Sequence, residues 1–191
     1  MSDPIRLYLV RHGEAAQSWD EATDPSLSDL GRVQAHEAAT KLQSVGPLPV
    51  MSSPLRRARE TAAAFETIWG VSSQVNPRVT EFPSPPMNLT DRGAWLQRWQ
   101  NEPWDKLFRV EDSAATLRSW RQGAIADLTA RDRATRNTTH YDSIKVAVSN
   151  ATNDDRIINF SPDNATCTVM ERTDDGRKLV GPSRERLTSA S

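Results

Sequence analysis

Leu7-Tyr8-Leu9-Val10-Arg11-His12-Gly13-Glu14 runs from apolar, β-forming residues straight into an arginine, a histidine and a glycine. The pattern predicts a buried strand, Ile5 to Val10, that delivers polar residues to its carboxyl edge, where open α/β sheets place their ligands. An imidazole at such an edge serves as nucleophile or general base. A neighbouring guanidinium offers an anion several donors at once, and glycine lets backbone approach closely. Together these residue types point to chemistry on a phosphate. A strand ending in a surface Arg-His pair has the same local sequence, so the remaining motifs must decide.

After this stretch, the polar loop Ala15 to Ser26, with Trp19 and Asp24-Pro25, is expected to wall the site. Gly31 to Ser44 reads as a helix with a narrow face of Gln34, Ala35, Ala38, Ala39 and Leu42, stopped by Val45-Gly46-Pro47. Leu48 to Ser52 reads as a second strand. Ser53-Pro54 then supplies a capping hydroxyl and a first-turn proline for a helix with the stripe Leu55, Ala58, Ala62, Phe65 and Trp69. Arg56, Arg57 and Arg59 crowd the start of that helix against its macrodipole, an arrangement that makes sense around an anion. Arg59 is read as solvated and Arg57 as an anion ligand.

Val75 to Phe82 is weakly strand-like and brings Glu81 to another strand end before Ser84-Pro85-Pro86. From about 84 to 112, Trp95, Trp99 and Trp104 among charged residues predict a helical insert over the sheet, forming a subsidiary core or lining a pocket. Ser113 to Arg131 reads as a longer helix with Leu117, Trp120, Ala124 and Leu128 inward. Two assignments compete for Ala134 to Asn150. Alternation favours a strand at Lys145 to Ser149 with Asn150 at its edge. The other places the strand at Thr135 to Thr139, with His140 at the edge and a helix after it. Arg156 to Phe160 and Thr166 to Glu171 read as late strands joined by Ser161-Pro162-Asp163-Asn164, and the chain from about 174 reads as a loose polar tail.

The 191 residues suit a single domain. A formal charge of −1 provides no global field for nucleic acid or an anionic membrane, so any anion site is local. The lone Cys167 excludes an intramolecular disulfide and a multi-cysteine metal cluster, and no metal-ligand spacing stands out. The first apolar run is broken by Arg6 and is too short for a signal peptide or membrane span, so a cytoplasmic protein is expected.

Three motifs in order carry a family resemblance. Arg11-His12-Gly13-Glu14, then Leu27-Ser28-x-x-Gly31-x-x-Gln34-Ala35, then Ser53-Pro54-Leu55-x-Arg57-Ala58-x-x-Thr61-Ala62 resemble the histidine phosphatase superfamily, also called phosphoglycerate mutase-like, over about Ile5 to Glu171. The resemblance implies an α/β three-layer sandwich, a mostly parallel sheet with helices on both faces. It also implies a phosphate pocket of Arg11, His12, Arg57 and a second histidine. Thr139-His140-Tyr141-x-x-Ile144 resembles the second-histidine motif and leaves room for a helix before the last strands, so His140 is assigned against the alternation argument. Arg136-Asn137 depart from the strongly apolar strand that the family has before this histidine.

By the same resemblance His12 is the nucleophile and Glu81 the acid, protonated through burial beside Phe82 and Val79. Glu14 and Gln17 are further candidates for orienting His12 or contacting phosphate. No metal or other cofactor is implied. The expected activity is hydrolysis of a small phosphorylated metabolite through a phosphohistidine, with a homodimer left open and neither nucleic acid nor membrane as partner. Ala15 and Gln17 stand where mutases of the family carry a hydroxyl residue and an asparagine, which argues for hydrolysis. A mutase, a protein-phosphohistidine phosphatase and a non-catalytic phosphate-binding relative are the alternatives.

Overall fold

The computed structural model describes residues 5–18, 21–99, 102–157, 161–174 and 176–182. Six strands form one sheet in the order β3-β2-β4-β1-β5-β6. They are β1 (Arg6–Arg11), β2 (Val50–Ser52), β3 (Gln74–Val75), β4 (Thr135–Thr139), β5 (Cys167–Thr173) and β6 (Gly176–Pro182). β1, β2, β3 and β4 run parallel, while β5 pairs antiparallel with β1 and with β6. The helices are α1 (Asp29–Lys41), α2 (Arg56–Trp69), α3 (Leu89–Trp99), α4 (Trp104–Val110), α5 (Ala114–Thr129) and α6 (Tyr141–Thr152). This is the three-layer α/β architecture that the resemblance implied. Among the described residues no helix is long and apolar enough to cross a membrane.

Strand alternation sorts β1 between two cores. Tyr8 and Val10 pack with Ala38 and Ala39 of α1 and Ala62 and Phe65 of α2, while Leu7 and Leu9 pack with Leu128 of α5 and Ile144, Ala147 and Val148 of α6. A third cluster joins Phe82, Trp99, Trp104, Leu107, Leu117 and Ala124 beneath α3 and α4.

The disputed stretch folds with its strand at Thr135–Thr139 and a helix from Tyr141. Alternation misled at Lys145 to Ser149 because α6 is buried on more than one side, with Ile144, Ala147 and Val148 in one cluster and Val146 in another. Val146, Ala147 and Val148 are therefore apolar in succession, which reads as a short strand. The departure at Arg136-Asn137 does not break β4, which pairs with both β1 and β2. Thr138 and Thr139 turn their hydroxyls to the carbonyls of Met51 and Val79. The fully buried Arg136 guanidinium lies 4.0 Å from the Trp69 ring centre and 4.4 Å from that of Phe65, an aromatic cage for a cation.

Other expectations are corrected. Ser53 does not cap a helix: α2 starts at Arg56, with Leu55 at its cap position and no side-chain cap. Of the segment Val75 to Phe82 only Val75, the end of β3, is strand, and a single 3-10 turn, Pro77–Val79, follows. No strand starts at Arg156, which makes only an isolated bridge to Pro103; residues 158–160 of that expected strand lie outside the described residues. The tail expected to be loose from about 174 instead supplies β6, which pairs with β5, and 183–191 lie outside the described residues.

Arg136 provides a test of what the core requires. Burial lowers its pKa to about 10, and none of its three guanidinium nitrogens has a hydrogen-bond partner. Replacing a buried, unpartnered charge by an apolar side chain of similar volume is commonly neutral or stabilising. Arg136→Met is therefore expected to melt at or above the wild-type temperature, and Arg136→Ala, which opens a cavity, to lose roughly 2–4 kcal/mol. A large loss in the methionine variant by thermal denaturation would contradict this account.

Candidate active site

Because β1, β2 and β4 run parallel, their carboxyl ends meet at one edge of the sheet, and the residues just beyond them are His12, Ser53 and His140. The His12 amide donates to the Thr139 carbonyl (2.9 Å) and the Ser53 amide to the Thr138 carbonyl (3.0 Å), so strand pairing continues into the site.

The protonation of His12 follows from its neighbours. Nδ1 lies 2.7 Å from the Gly13 carbonyl oxygen, which can only accept, so the hydrogen is on Nδ1. Nε2 keeps its lone pair and accepts from Arg57 Nε at 3.3 Å. Burial, with the charges of Arg57 and Arg11 adding to it, lowers the His12 pKa to about 3. The result is a neutral imidazole with its hydrogen on Nδ1 and its lone pair on Nε2, held by Arg57.

The loop that carries His12 is held by close packing. A Cβ on either Gly13 or Gly31 would collide with backbone across the gap between them. Thr61 Oγ1 accepts from the Gly13 amide (3.1 Å) and donates to the Arg57 carbonyl (2.8 Å), tying the His12 loop to α2. Glu14 is engaged in the same packing: its amide donates to Gln34 Oε1 (2.8 Å), and its carboxylate accepts from Ser28 Oγ (2.8 Å) at the start of α1. It supports the loop. Gln17 stands exposed on a bend, and the wall residue Trp19 lies outside the described residues.

Arg57 joins the inward stripe of α2 with Ala58, Thr61, Ala62 and Phe65, whereas Arg59 is exposed. Its Nη2 is ion-paired with Glu81 Oε2, and its Nη1 lies 3.7 Å from Asp24 Oδ1. Asp24 also accepts from the Arg56 amide (2.7 Å), fastening the polar loop to the start of α2. Arg11 donates from Nη1 to the Pro162 carbonyl (2.9 Å) and lies 5.0 Å from the Tyr141 ring centre. Burial lowers the pKa of both arginines.

His140 is fully buried, its ring centre 5.2 Å from that of His12. Nε2 lies 2.7 Å from Ser53 Oγ, and Glu81 Oε2 lies 3.4 Å from Nδ1. Burial, then His12, Arg57 and Arg11, depress its pKa well below the usual imidazole range, so the ring is neutral. The expected apolar setting of Glu81 is also absent. Phe82 turns to Trp95, Trp104 and Trp120, Val79 enters the α5-α6 core, and Glu81 faces a guanidinium and an imidazole.

The structure thus brings His12, Arg11, Arg57, Glu81 and His140 together. Asp24, in the loop expected to wall the site, does lie against Arg57. Sequence reasoning gave no role in the site to Ser53, Thr61 or Tyr141, although all three stand in the motifs that carry the resemblance, and Ser53 directly follows a strand parallel to β4.

A family model, the histidine phosphatase superfamily (branch 1), matches residues 7–183. The chain belongs to this superfamily. A superfamily relative from Erwinia tasmaniensis named as a probable phosphoglycerate mutase, GpmB, is 33% identical over 133 residues, 68% of this chain and 53% of the relative. The chain spans from about half to just under two thirds of the length of the first curated relatives it matches. A phosphoserine phosphatase from Entamoeba histolytica, solved with phosphoserine, superposes with a TM-score of 0.70 at 19% identity, covering 94% of this chain and 96% of that one. A mycobacterial glucosyl-3-phosphoglycerate phosphatase gives 0.67 at 21% identity, with 92% and 96% covered. Among the described residues no group of three or more His, Cys, Asp or Glu side chains is placed to hold a metal ion.

The depressed pKa of His12 makes stability depend on pH. Between about 3 in the folded protein and the ordinary 6.5 in the unfolded chain, only the unfolded chain takes up the proton. The contribution is therefore complete above about 6.5 and lost as pH falls towards about 3. The slope approaches about 1.4 kcal/mol per pH unit for one histidine. Urea unfolding at pH 6.5 and pH 5 should show the wild type losing stability on acidification, and His12→Asn losing less. Equal losses would mean that His12 is not buried neutral.

Proposed function

We propose that the chain is a phosphomonoester hydrolase acting on a small phosphorylated metabolite through a phosphohistidine at His12. The observation that carries this reading is a set of buried nitrogens without hydrogen-bond partners: Arg11 Nε, Arg57 Nη1 and His140 Nδ1, the last two meeting Asp24 and Glu81 only at 3.7 Å and 3.4 Å. Arg11 is close enough to Arg57 and to both imidazoles for its charge to depress the pKa of all three. Buried donors are normally satisfied, and a phosphoryl group has the oxygens this set lacks.

In this mechanism His12 Nε2 attacks phosphorus while Arg11, Arg57 and His140 stabilise the charge spreading over the phosphoryl oxygens. The P–N bond forms as the P–O bond to the leaving group breaks, and Glu81 gives its proton to the departing alkoxide. An entering phosphoryl dianion takes over the Arg57 contact now held by Glu81, and this like charge at the same guanidinium favours the protonated carboxyl. Glu81, left as a carboxylate, accepts a proton from the water that attacks the phosphohistidine. Release of inorganic phosphate restores the free imidazole. The phosphatases named among the structural neighbours support a small ester as substrate.

The similarity to GpmB favours a second reading, phosphoryl transfer between positions of one substrate. A phosphoglycerate isomer pair distinguishes the two, since a mutase interconverts the isomers without releasing phosphate.

With a panel of sugar, amino-acid and glycerate phosphates assayed in EDTA, the wild type is expected to release phosphate and His12→Ala to show no turnover while keeping its fold. Rapid quench should trap acid-labile, base-stable phosphate on the wild type alone, and label on serine would refute the mechanism.

The two arginines of the α2 start give a second test. Arg57→Ala is expected to lose roughly 3 kcal/mol of transition-state stabilisation, read as about a hundredfold or greater fall in kcat/KM. Arg59→Ala, on the exposed face, should change kcat/KM less than twofold. Equal effects would place the anion elsewhere.

A further inference from the structure

Ser53 is fully buried at the end of β2, and its peptide is clamped on both sides. Its amide donates to the Thr138 carbonyl (3.0 Å), and its carbonyl accepts from Ser52 Oγ (2.9 Å). The position of its hydroxyl is therefore set by the strand. That hydroxyl accepts from the Leu55 amide at 3.3 Å and lies 2.7 Å from His140 Nε2.

Two proton arrangements are open to a neutral His140. If Nε2 carried the hydrogen, it would donate to Ser53 Oγ, and the bare lone pair of Nδ1 would face Glu81 Oε2 at 3.4 Å, setting two acceptors against each other. The Ser53 hydrogen would then also need another acceptor, and no hydrogen bond of that kind is formed by the described residues. If Ser53 donates to Nε2, no two acceptors are set against each other. One Ser53 lone pair receives Leu55, its hydrogen goes to the ring, and Nδ1–H faces the carboxylate and the anion space.

We propose that Ser53 is a positioning residue that holds His140 in the Nδ1–H tautomer, with that hydrogen aimed at the phosphoryl oxygen. The proposal rests on the phosphatase reading for the identity of the anion, while the tautomer itself is a property of the resting protein. Burial next to His12 and two arginines keeps the ring neutral, so its usefulness to an anion depends on which nitrogen bears the hydrogen. Ser53 acts on the chemistry only through His140.

Long-range ¹H–¹⁵N correlation on labelled protein reads the tautomer directly, the three histidines being assigned with His36→Gln and His140→Asn variants. The wild type is expected to show protonated Nδ1 and acceptor Nε2 at His140. In Ser53→Ala the ring should lose its single state and show shifts averaged between the nitrogens, with kcat down about 10- to 100-fold and KM little changed. Ser53→Thr, which keeps the hydroxyl, should restore the single tautomer and most of kcat. Inorganic phosphate should move the Nδ1–H resonance of the wild type. A wild-type ring protonated at Nε2 overturns the proposal, as does a Ser53→Ala variant with unchanged tautomer and kcat. The tautomer measurement needs no turnover, so a wild type with the predicted ring state and no phosphatase activity would refute the assigned reaction and leave the role of Ser53 standing.

Discussion

Two guanidinium groups share one buried space at the carboxyl edge of the sheet, and the rest of the site is arranged around that charge. Arg57 is 3% exposed and Arg11 is close enough to depress its pKa. Desolvation and like charge both act against further positive charge, so the two imidazoles between them are neutral. Glu81 and Asp24 offset part of the excess at Arg57. What remains is a set of buried nitrogens on Arg11, Arg57 and His140 without hydrogen-bond partners, beside the uncharged His12 ring.

The charge can be held there because the scaffold beneath it is rigid. Parallel pairing of β4 with β1 and β2 continues past the strand ends through the amides of His12 and Ser53. The close approach of Gly13 to Gly31 then locks the His12 loop against the start of α1. Backbone hydrogen bonds and steric exclusion thereby fix His12, Ser53 and His140 relative to one another.

The polar character of β4 shows how a central strand departs from the apolar norm without fraying. Its threonines satisfy their hydroxyls on neighbouring carbonyls, and Arg136 spreads its charge over aromatic faces. Asn137 is the exception: its carboxamide is buried without a partner, and nothing in the structure explains it. Arg136 packs on Tyr8, Phe65 and Trp69, on the core side of the sheet, so its place in the strand bears on stability.

Local pattern was enough for the strand that ends in Arg11-His12, for the helices α1, α2 and α5, and for the inward Arg57, because strand alternation, helical spacing and charge opposing a helix dipole are properties of neighbouring residues. The resemblance of three motifs chose the correct side of the disputed stretch where periodicity chose the wrong one. Tertiary structure alone decided the burial of α6 on more than one side, which makes Val146, Ala147 and Val148 a consecutive apolar run that reads as a strand, and the pairing of β6, whose polar sequence reads as a tail until β5 lies beside it. It also decided the chemistry of the groups in the site. Ser53 and His140 are 87 positions apart, so the hydrogen bond between them, like the neutral state of both histidines and the charged setting of Glu81, arises only when parallel strands bring distant residues into one desolvated space.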